Sequence, residues 1–220
     1  MGITFDDVKN NKEIKACIVR GDELLESCGY TEHNFIHASF VSKRAAEILN
    51  TLGYSKKHIE LAKIAGYIHD IGNMINRNDH AQSGAILAYQ ILFRMGMDIE
   101  DITTITAAIG NHDEGTGNAI DPVSAALILA DKSDVRNTRV RKGDILSYDI
   151  HDRVNMAVKK SDIVIDKNKG EICLNMEIDT EISSVMDYFE IFLNRMIMCR
   201  KSAEFFGMKL VIMANNMKLL

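Results

Sequence analysis

The sequence of 220 residues contains no tryptophan and a single proline, Pro122. Because proline interrupts helices, its near absence permits long uninterrupted helices along almost the whole chain. The four cysteines form neither a short pair nor a metal-knuckle spacing, which is typical of reduced thiols in a cytosolic protein. No stretch approaches the roughly 20 apolar residues of a membrane span, and no apolar signal-peptide region is present near residue 1. We therefore expect a soluble, cytoplasmic protein without a membrane partner.

Positive charge is also scarce, since 26 Lys and Arg stand against 31 Asp and Glu, for a net charge of −5. A general nucleic-acid binder carries an excess of basic residues, so the charge balance argues against this class of function. Binding of an anionic substrate would need a local source of positive charge, either clustered arginines or a bound metal. Apolar residues make up 46% of the chain, as in ordinary globular proteins, which excludes the disordered and fibrous classes.

Apolar residues recur with helical spacing through the first 135 residues, and potential capping residues precede several of these runs. They predict six helices: about 11–28, from Thr31 to Gly53, from Ser55 to Gly72, from Asp79 to Gly96, from Asp98 through Ile109, and from Asp121 through Ala130. After residue 143 the period changes. Residues 162–166 and 171–175 predict two strands, followed by a long helix over about 181–206 and a third strand over 209–213.

The predicted fold class is therefore mainly α, in two parts. Residues 1–160 are expected to form a helical core. Residues 161–220 are expected to form a small α+β extension packed on it, with an antiparallel β-hairpin or strand and one long helix. No linker rich in proline, glycine or serine separates the two parts.

Four histidines and two acids stand at positions of the predicted helices that do not fit a plain hydrophobic core: His37, His69, Asp70, His80, His112 and Asp131. Asp131, for example, lies one turn after Leu127, so its carboxylate points where a hydrophobic side chain belongs. Each residue alone reads most simply as an ordinary core or surface residue, but together they would make a core of unpaired acids and imidazoles, which is costly to bury. A divalent cation removes that cost, because imidazole nitrogen and carboxylate oxygen are ligands that iron, manganese and zinc accept.

The order of these residues resembles that of the HD-domain metal-dependent phosphohydrolases, over about residues 30–145. The segments 65–72 (AGYIHDIG) and 128–132 (ILADK) carry the resemblance further. It implies an HD-domain helical bundle with a binuclear centre, in which one metal is held by His37, His69, Asp70 and Asp131, and the second by His80, His112 and a bridging Asp70. The implied cofactors are two divalent transition-metal ions, iron first, with manganese or another divalent ion as alternatives.

The activity implied by the resemblance is that of a phosphatase or phosphodiesterase that acts on a nucleotide or another small phosphorylated metabolite through a metal-activated hydroxide. Asn73 stands where the cyclic-dinucleotide phosphodiesterases of this family carry lysine, so the identity of the substrate is not carried over. The expected catalytic residues are Asp70 and Asp113. Asp113 follows His112 and would orient a histidine or act as a general acid, with a plain surface role as the alternative.

A basic cluster after Asp131 is expected to bind the substrate phosphate through Lys132, Arg136 and Arg139. Arg136 and Arg139 would share a helix face if the helix continues past Lys132, and guanidinium groups bind phosphate oxygens bidentately. The alternative is a solvated helix end that basic residues stabilise.

Two other functions are compatible with the sequence. The same six-ligand pattern resembles mixed-valent di-iron oxygenases, such as myo-inositol oxygenase. A non-catalytic regulatory module, in which a metal or nucleotide shapes a helical domain, is the third hypothesis. The basic cluster after Asp131 favours hydrolysis, and a homodimer through the C-terminal extension is a further expectation.

Overall fold

The fold is mainly helical, with a small sheet in the C-terminal part of the chain. A computed structural model describes residues 2–141 and 150–220, and within them it shows nine α-helices and four β-strands. The helices are α1 (Phe5–Asn10), α2 (Lys12–Ser27), α3 (Phe35–Leu52), α4 (Lys56–Ile68), α5 (His80–Met95), α6 (Ile99–Gly110), α7 (Pro122–Lys132), α8 (Ile150–Ala157) and α9 (Val185–Phe205). The strands are β1 (Val158–Asp166), β2 (Glu171–Ile178), β3 (Lys209–Ala214) and β4 (Met217–Lys218). Two 3-10 helices, Ile71–Met74 and Asn137–Arg139, complete the regular structure.

The centre of the helical bundle is α7, which packs against α3, α4 and α6 and is buried at every residue from Val123 to Ala130. Helices α3 and α4 approach each other closely beside it. A Cβ added at Gly66 of α4 would lie 2.8 Å from the Cα atom of Ser42 in α3, so this contact requires glycine. The expected mainly α fold is confirmed.

Local capping explains where the helices begin. The Ser55 hydroxyl accepts from the backbone N–H of His58 at the start of α4, as the sequence predicts. At the start of α7, Asp121 and Ser124 form a reciprocal capping box ahead of a first turn that contains proline. The expectation that Thr31 caps α3 was wrong. The cap is Asn34, whose side-chain oxygen accepts from two backbone N–H groups of the first turn.

The segment after α4 also differs from the expectation that this helix continues to Gly72. The α-helix ends at Ile68, and the chain tightens into the 3-10 helix Ile71–Met74. There Gly72 lies directly against the first turn of α5, where a Cβ would collide with the carbonyl oxygen of His80. The tight turn brings the end of α4 and the start of α5 to the same place.

The C-terminal sheet has the strand order β1-β2-β3-β4. Strands β1 and β2 form the expected antiparallel hairpin, β3 pairs parallel to β2 after the crossover through α9, and β4 is antiparallel to β3. Strand β1 begins at Val158, so the boundary expected at residue 160 falls inside it. Helix α9 packs against α7 and thereby joins the extension to the bundle. Among the described residues, no helix has the length and apolar character needed to span a membrane.

Candidate metal centre

The six histidines and acids singled out in the sequence meet at one place in the bundle. They come from the first turn of α3, the end of α4, the start of α5, the loop after α6 and the end of α7: His37, His69, Asp70, His80, His112 and Asp131. All four histidines are at most 2% exposed. The two carboxylates are slightly more accessible, with side chains 13% and 12% exposed. The cluster therefore lies at the inner end of a site that remains open to solvent.

Four ligand atoms form the first half of the cluster. His37 Nε2 lies 3.3 Å from His69 Nε2 and 3.4 Å from an oxygen of Asp131. His69 Nε2 lies 3.1 Å from Asp70 Oδ2. Nitrogen and oxygen ligands about 2.1 Å from a common cation are roughly 3.0–3.4 Å apart, so these separations fit one ion of the zinc or first-row transition-metal size.

The second half of the cluster uses the other oxygen of the same carboxylate. Asp70 Oδ1 lies 3.5 Å from His80 Nε2 and 3.8 Å from His112 Nε2. The two histidine nitrogens are 3.1 Å apart. Because Oδ1 and Oδ2 of Asp70 face different histidine pairs, the carboxylate has the position of a bridge between two ions.

Hydrogen bonds on the far side of each ring orient all four histidines. The acceptors of Nδ1–H are Asp134 Oδ2 for His37, Gly66 O for His69, Arg77 O for His80 and Ile109 O for His112, at 2.8, 2.9, 3.0 and 2.6 Å. A carbonyl or carboxylate oxygen only accepts, so each Nδ1 carries a proton and each Nε2 is the atom that faces the centre, where its lone pair can bind a cation or a proton. Two of these acceptors, Gly66 O and Ile109 O, belong to the last turns of α4 and α6, where helix carbonyls lack helical partners.

Electrostatics within the cluster favour bound positive charge. Burial by itself would raise the pKa values of the Asp70 and Asp131 carboxyl groups. Neighbouring histidines outweigh burial at Asp70, and Lys132 with His37 and His69 outweighs it at Asp131, so both pKa values lie well below the usual range. Burial would lower the pKa of His69, yet the two carboxylates outweigh it and raise this pKa to about 10. A proton on His69 thus occupies the position that a cation would take.

Two further residues support the cluster, and the sequence did not assign them this role. Buried Asn73 donates through Nδ2 to Asp70 Oδ1 at 2.9 Å and so holds the bridging carboxylate. Asp134 is fully buried, accepts from His37, and is bound by Arg136 through both carboxylate oxygens. Neither residue stands out by periodicity, because an Asn in a tight turn and an Asp after a helix are common.

The three basic residues expected to bind phosphate occupy different environments. Lys132 Nζ lies 2.9 Å from Asp131 Oδ2 at the edge of the cluster. Helix α7 ends at Lys132, so Arg136 and Arg139 do not share a helix face. The Arg136 guanidinium pairs with Asp134 and lies 3.8 Å from the centre of the Phe40 ring.

Asp113 lies beside the second half of the cluster. Its Oδ1 is 3.9 Å from His80 Nε2, and the side chain is about one-third exposed, at 32%. Burial acts to raise the pKa of its carboxyl group, but Lys132, His80 and His112 outweigh that effect and lower it. Asp113 is therefore ionised at neutral pH, a state suited to accepting a hydrogen bond from an N–H or O–H group.

A cleft of about 910 Å³ leads from the surface to His80 and Asp113. Beneath it, a cavity of about 10 Å³, just enough to admit one water molecule, reaches Asp70 and Asp131. Both spaces are lined by three residues that were not among the expected site residues: His33, Arg77 and Arg195. Arg77 could have been predicted as a site residue, because it lies in the short segment between His69 and His80. Arg195 could not, because nothing in the sequence connects α9 to the site.

Comparison with known proteins agrees with this geometry. The family model described as HD domain matches residues 34–136, the segment that contains all six clustered residues. The uncharacterized protein MJ1020 of Methanocaldococcus jannaschii is 24% identical over 183 residues, which cover 72% of this chain and 70% of that protein. The matched family domain and the cluster thus coincide in one part of the fold.

Proposed function

We propose that this protein is a metal-dependent phosphohydrolase, because the HD domain family model matches residues 34–136 and members of that family bind divalent metals and are generally hydrolases. Its substrate in this proposal is a nucleotide or another small phosphorylated metabolite. The bonds that it cleaves are phosphate esters or anhydrides, and its cofactors are two divalent transition-metal ions.

One observation supports this proposal more than any other. The four buried histidines each donate Nδ1–H outwards, so that their Nε2 lone pairs converge in two pairs 3.3 and 3.1 Å apart. Lone pairs at such distances repel each other unless positive charge lies between them. Since Asp70 faces both pairs, the residues fit two cations that share this carboxylate.

Two such cations, when bound, lower the pKa of a water molecule towards neutrality and offset the negative charge of phosphoryl oxygens. Residues of the chain orient the groups that would bind these cations. Asn73 holds the Asp70 carboxylate in place, and Asp134 holds the His37 ring. Asp113 lines the cleft beside His80, where its carboxylate can accept hydrogen bonds from water that enters the site.

The proposal is tested by measuring release of inorganic phosphate from a panel of nucleotides and phosphate esters. The full chain is treated with a chelator and then supplied with Fe²⁺, Mn²⁺ or other divalent ions. We expect metal-dependent release by the wild-type protein and a loss of at least about a hundredfold in Asp70→Asn, which removes the bridging charge. Glu47→Gln, at an exposed residue of α3 that pairs with Lys43, is the matched control and should retain activity.

Full activity of Asp70→Asn would contradict the proposal. Bound metal without turnover of any substrate in the panel would favour the non-catalytic regulatory module instead. Oxygen consumption with an organic substrate, together with a mixed-valent iron signal in electron paramagnetic resonance, would favour the di-iron oxygenase.

A further inference from the structure

The small inner cavity over the cluster carries an excess of positive side chains. It is lined by Arg77, Lys132, Arg139 and Arg195, which come from four separate segments. Among the lining residues that the structure describes, only the carboxylates of Asp70 and Asp131 oppose them. Both carboxylates belong to the candidate metal centre, so they cannot neutralise all of the surrounding cations. Such a cavity selects an anion.

Two of these four cations are already committed to the fold. Lys132 lies against Asp131 and also 3.7 Å from Glu114. The Arg139 guanidinium donates to the carbonyl oxygens of Glu32 and Asp134, at 3.1 and 2.7 Å. Arg139 thereby ties the loop before α3 to the segment after α7, and it is almost fully buried.

The Arg195 guanidinium is bound at its Nε–H, and its terminal N–H groups face the cavity. Its Nε–H donates to Glu114 at 2.7 Å, and its guanidinium lies 4.4 Å from the centre of the Phe192 ring. Within the described part of the chain, the two terminal nitrogens have no hydrogen-bond acceptor. The side chain is therefore fixed in direction by α9 while its terminal N–H groups remain available at the cavity.

Arg77 approaches the same cavity from the turn before α5. Its Nη1 lies 3.4 Å from Asn73 Oδ1 and 3.3 Å from His80 Nε2, and no carboxylate of residues 2–141 or 150–220 pairs with it. His80 Nε2 belongs to the second half of the candidate metal centre. If His80 Nε2 binds a metal ion, it can no longer accept from Arg77, and the N–H group of Arg77 that pointed to it needs another acceptor.

We propose that Arg77 and Arg195, which line both the inner cavity and the larger cleft, form an anion clamp that holds a phosphate group where the cleft meets the His/Asp cluster. This inference rests on the phosphohydrolase function proposed above, and it moves the clamp from Arg136 and Arg139 to two residues from other segments. It also gives the C-terminal extension a role, because α9 completes the substrate site. A guanidinium presents paired N–H groups that match phosphate oxygens, and the larger cleft takes the rest of the substrate.

The clamp is tested by calorimetric titration of inorganic phosphate into the full chain equilibrated with Mn²⁺. Arg77→Gln and Arg195→Gln should each weaken phosphate binding by about tenfold or more, since each removes charge-assisted hydrogen bonds. Arg200→Gln is the matched control on the same helix, because Arg200 is exposed and pairs with Glu204. Its phosphate affinity should stay within about twofold of the wild-type value.

Metal content and circular dichroism establish that each variant is folded and loaded. If Arg195→Gln fails to fold, Arg195→Lys replaces it and should bind phosphate several-fold more weakly, because lysine keeps the charge but lacks the planar fork. A phosphate affinity within about twofold of wild type in any folded variant of Arg77 or Arg195, or no phosphate binding by the wild-type chain, would overturn the clamp. Phosphate binding that depends on both arginines, in a protein that hydrolyses no substrate in the panel, would support the clamp and contradict the hydrolase.

Discussion

At the scale of single residues, Asp134 supports the candidate metal centre without being one of its ligands. Its buried carboxylate accepts from His37 Nδ1–H at 2.8 Å, and burial is outweighed by His37, Arg136 and Arg139, which keep its pKa far below the usual range. Such carboxylate–histidine pairs fix the ring and raise its basicity as a ligand.

Replacing this carboxylate should therefore weaken metal binding without removing a ligand. We expect Asp134→Asn to reduce metal affinity by about 10- to 100-fold, as measured by competition with a chromophoric chelator. Asp6→Asn, at an exposed residue in the first turn of α1, is the control. Equal affinities of Asp134→Asn and wild type would show that His37 needs no orientation by Asp134.

His69 gives the metal-free protein a characteristic pH dependence. Its pKa in the folded chain is about 10, against an ordinary value of 6.5, because Asp70 and Asp131 outweigh its burial. A group whose pKa is raised on folding contributes stability that is complete below its unfolded pKa and is lost as the pH rises through the folded value.

The free energy of unfolding of the metal-free chain should thus decline between about pH 6.5 and pH 10 through His69. Urea unfolding of the chelated protein at several pH values measures this decline, and His69→Gln should flatten it. The same slope in wild type and His69→Gln would contradict the assigned pKa.

The six clustered residues could be predicted from the sequence, because several polar side chains recur where apolar ones belong. Arg195 and Asn73 could not be predicted in this way. Arg195 is separated from Asp131 by 64 residues, and only the packing of α9 on α7 brings it to the site. Asn73 acts through a 3-10 turn whose geometry depends on contact with α5.

At the scale of elements, the contact between α3 and α4 sets the distance between His37 and His69. A Cβ on Gly66 would lie 2.8 and 2.9 Å from two backbone atoms of Ser42, which cannot move aside as a flexible side chain could. We expect Gly66→Ala to destabilise the fold by about 1–3 kcal/mol, although alanine favours helices, because it forces the two helices apart.

Denaturant unfolding and metal titration measure the two consequences of Gly66→Ala. Gly110→Ala at the end of α6 is the control, since its added Cβ would meet only the side chain of Ala85, at 3.7 Å. An unchanged free energy of unfolding in Gly66→Ala, together with unchanged metal affinity, would contradict the described contact.

The elements with clear start and stop signals were predicted well. Ser55 and Asp121 precede helices that begin where their side chains can bond the first turn. Helices α1 and α8, with six and eight residues, were missed because so few residues show little periodicity. Strand β4 was missed for a related reason, since two residues become a strand only by pairing with β3.

At the scale of the whole molecule, docking of the C-terminal extension buries Cys199 of α9. This side chain is 1% exposed, and burial raises the pKa of its thiol to about 12, whereas Cys28 is exposed. The reactive form is the thiolate, so a pKa higher by about three units lowers its fraction roughly a thousandfold.

In the native protein, iodoacetamide should therefore modify Cys28 readily and leave Cys199 unmodified until the chain unfolds. Mass spectrometry of tryptic peptides at successive times measures both rates in one sample. Modification of Cys199 at a rate close to that of Cys28 would show that α9 is not packed on the bundle as described.

Metal stoichiometry tests most directly whether two cations share the carboxylate of Asp70. The chain is loaded with Mn²⁺, desalted and analysed for metal per chain, beside His80→Gln and Asp70→Asn. We expect two ions in the wild type, one in His80→Gln, which leaves the first ligand set intact, and fewer than one in Asp70→Asn, which removes the shared ligand. No bound ion in the wild type, or two ions retained in both variants, would contradict the account.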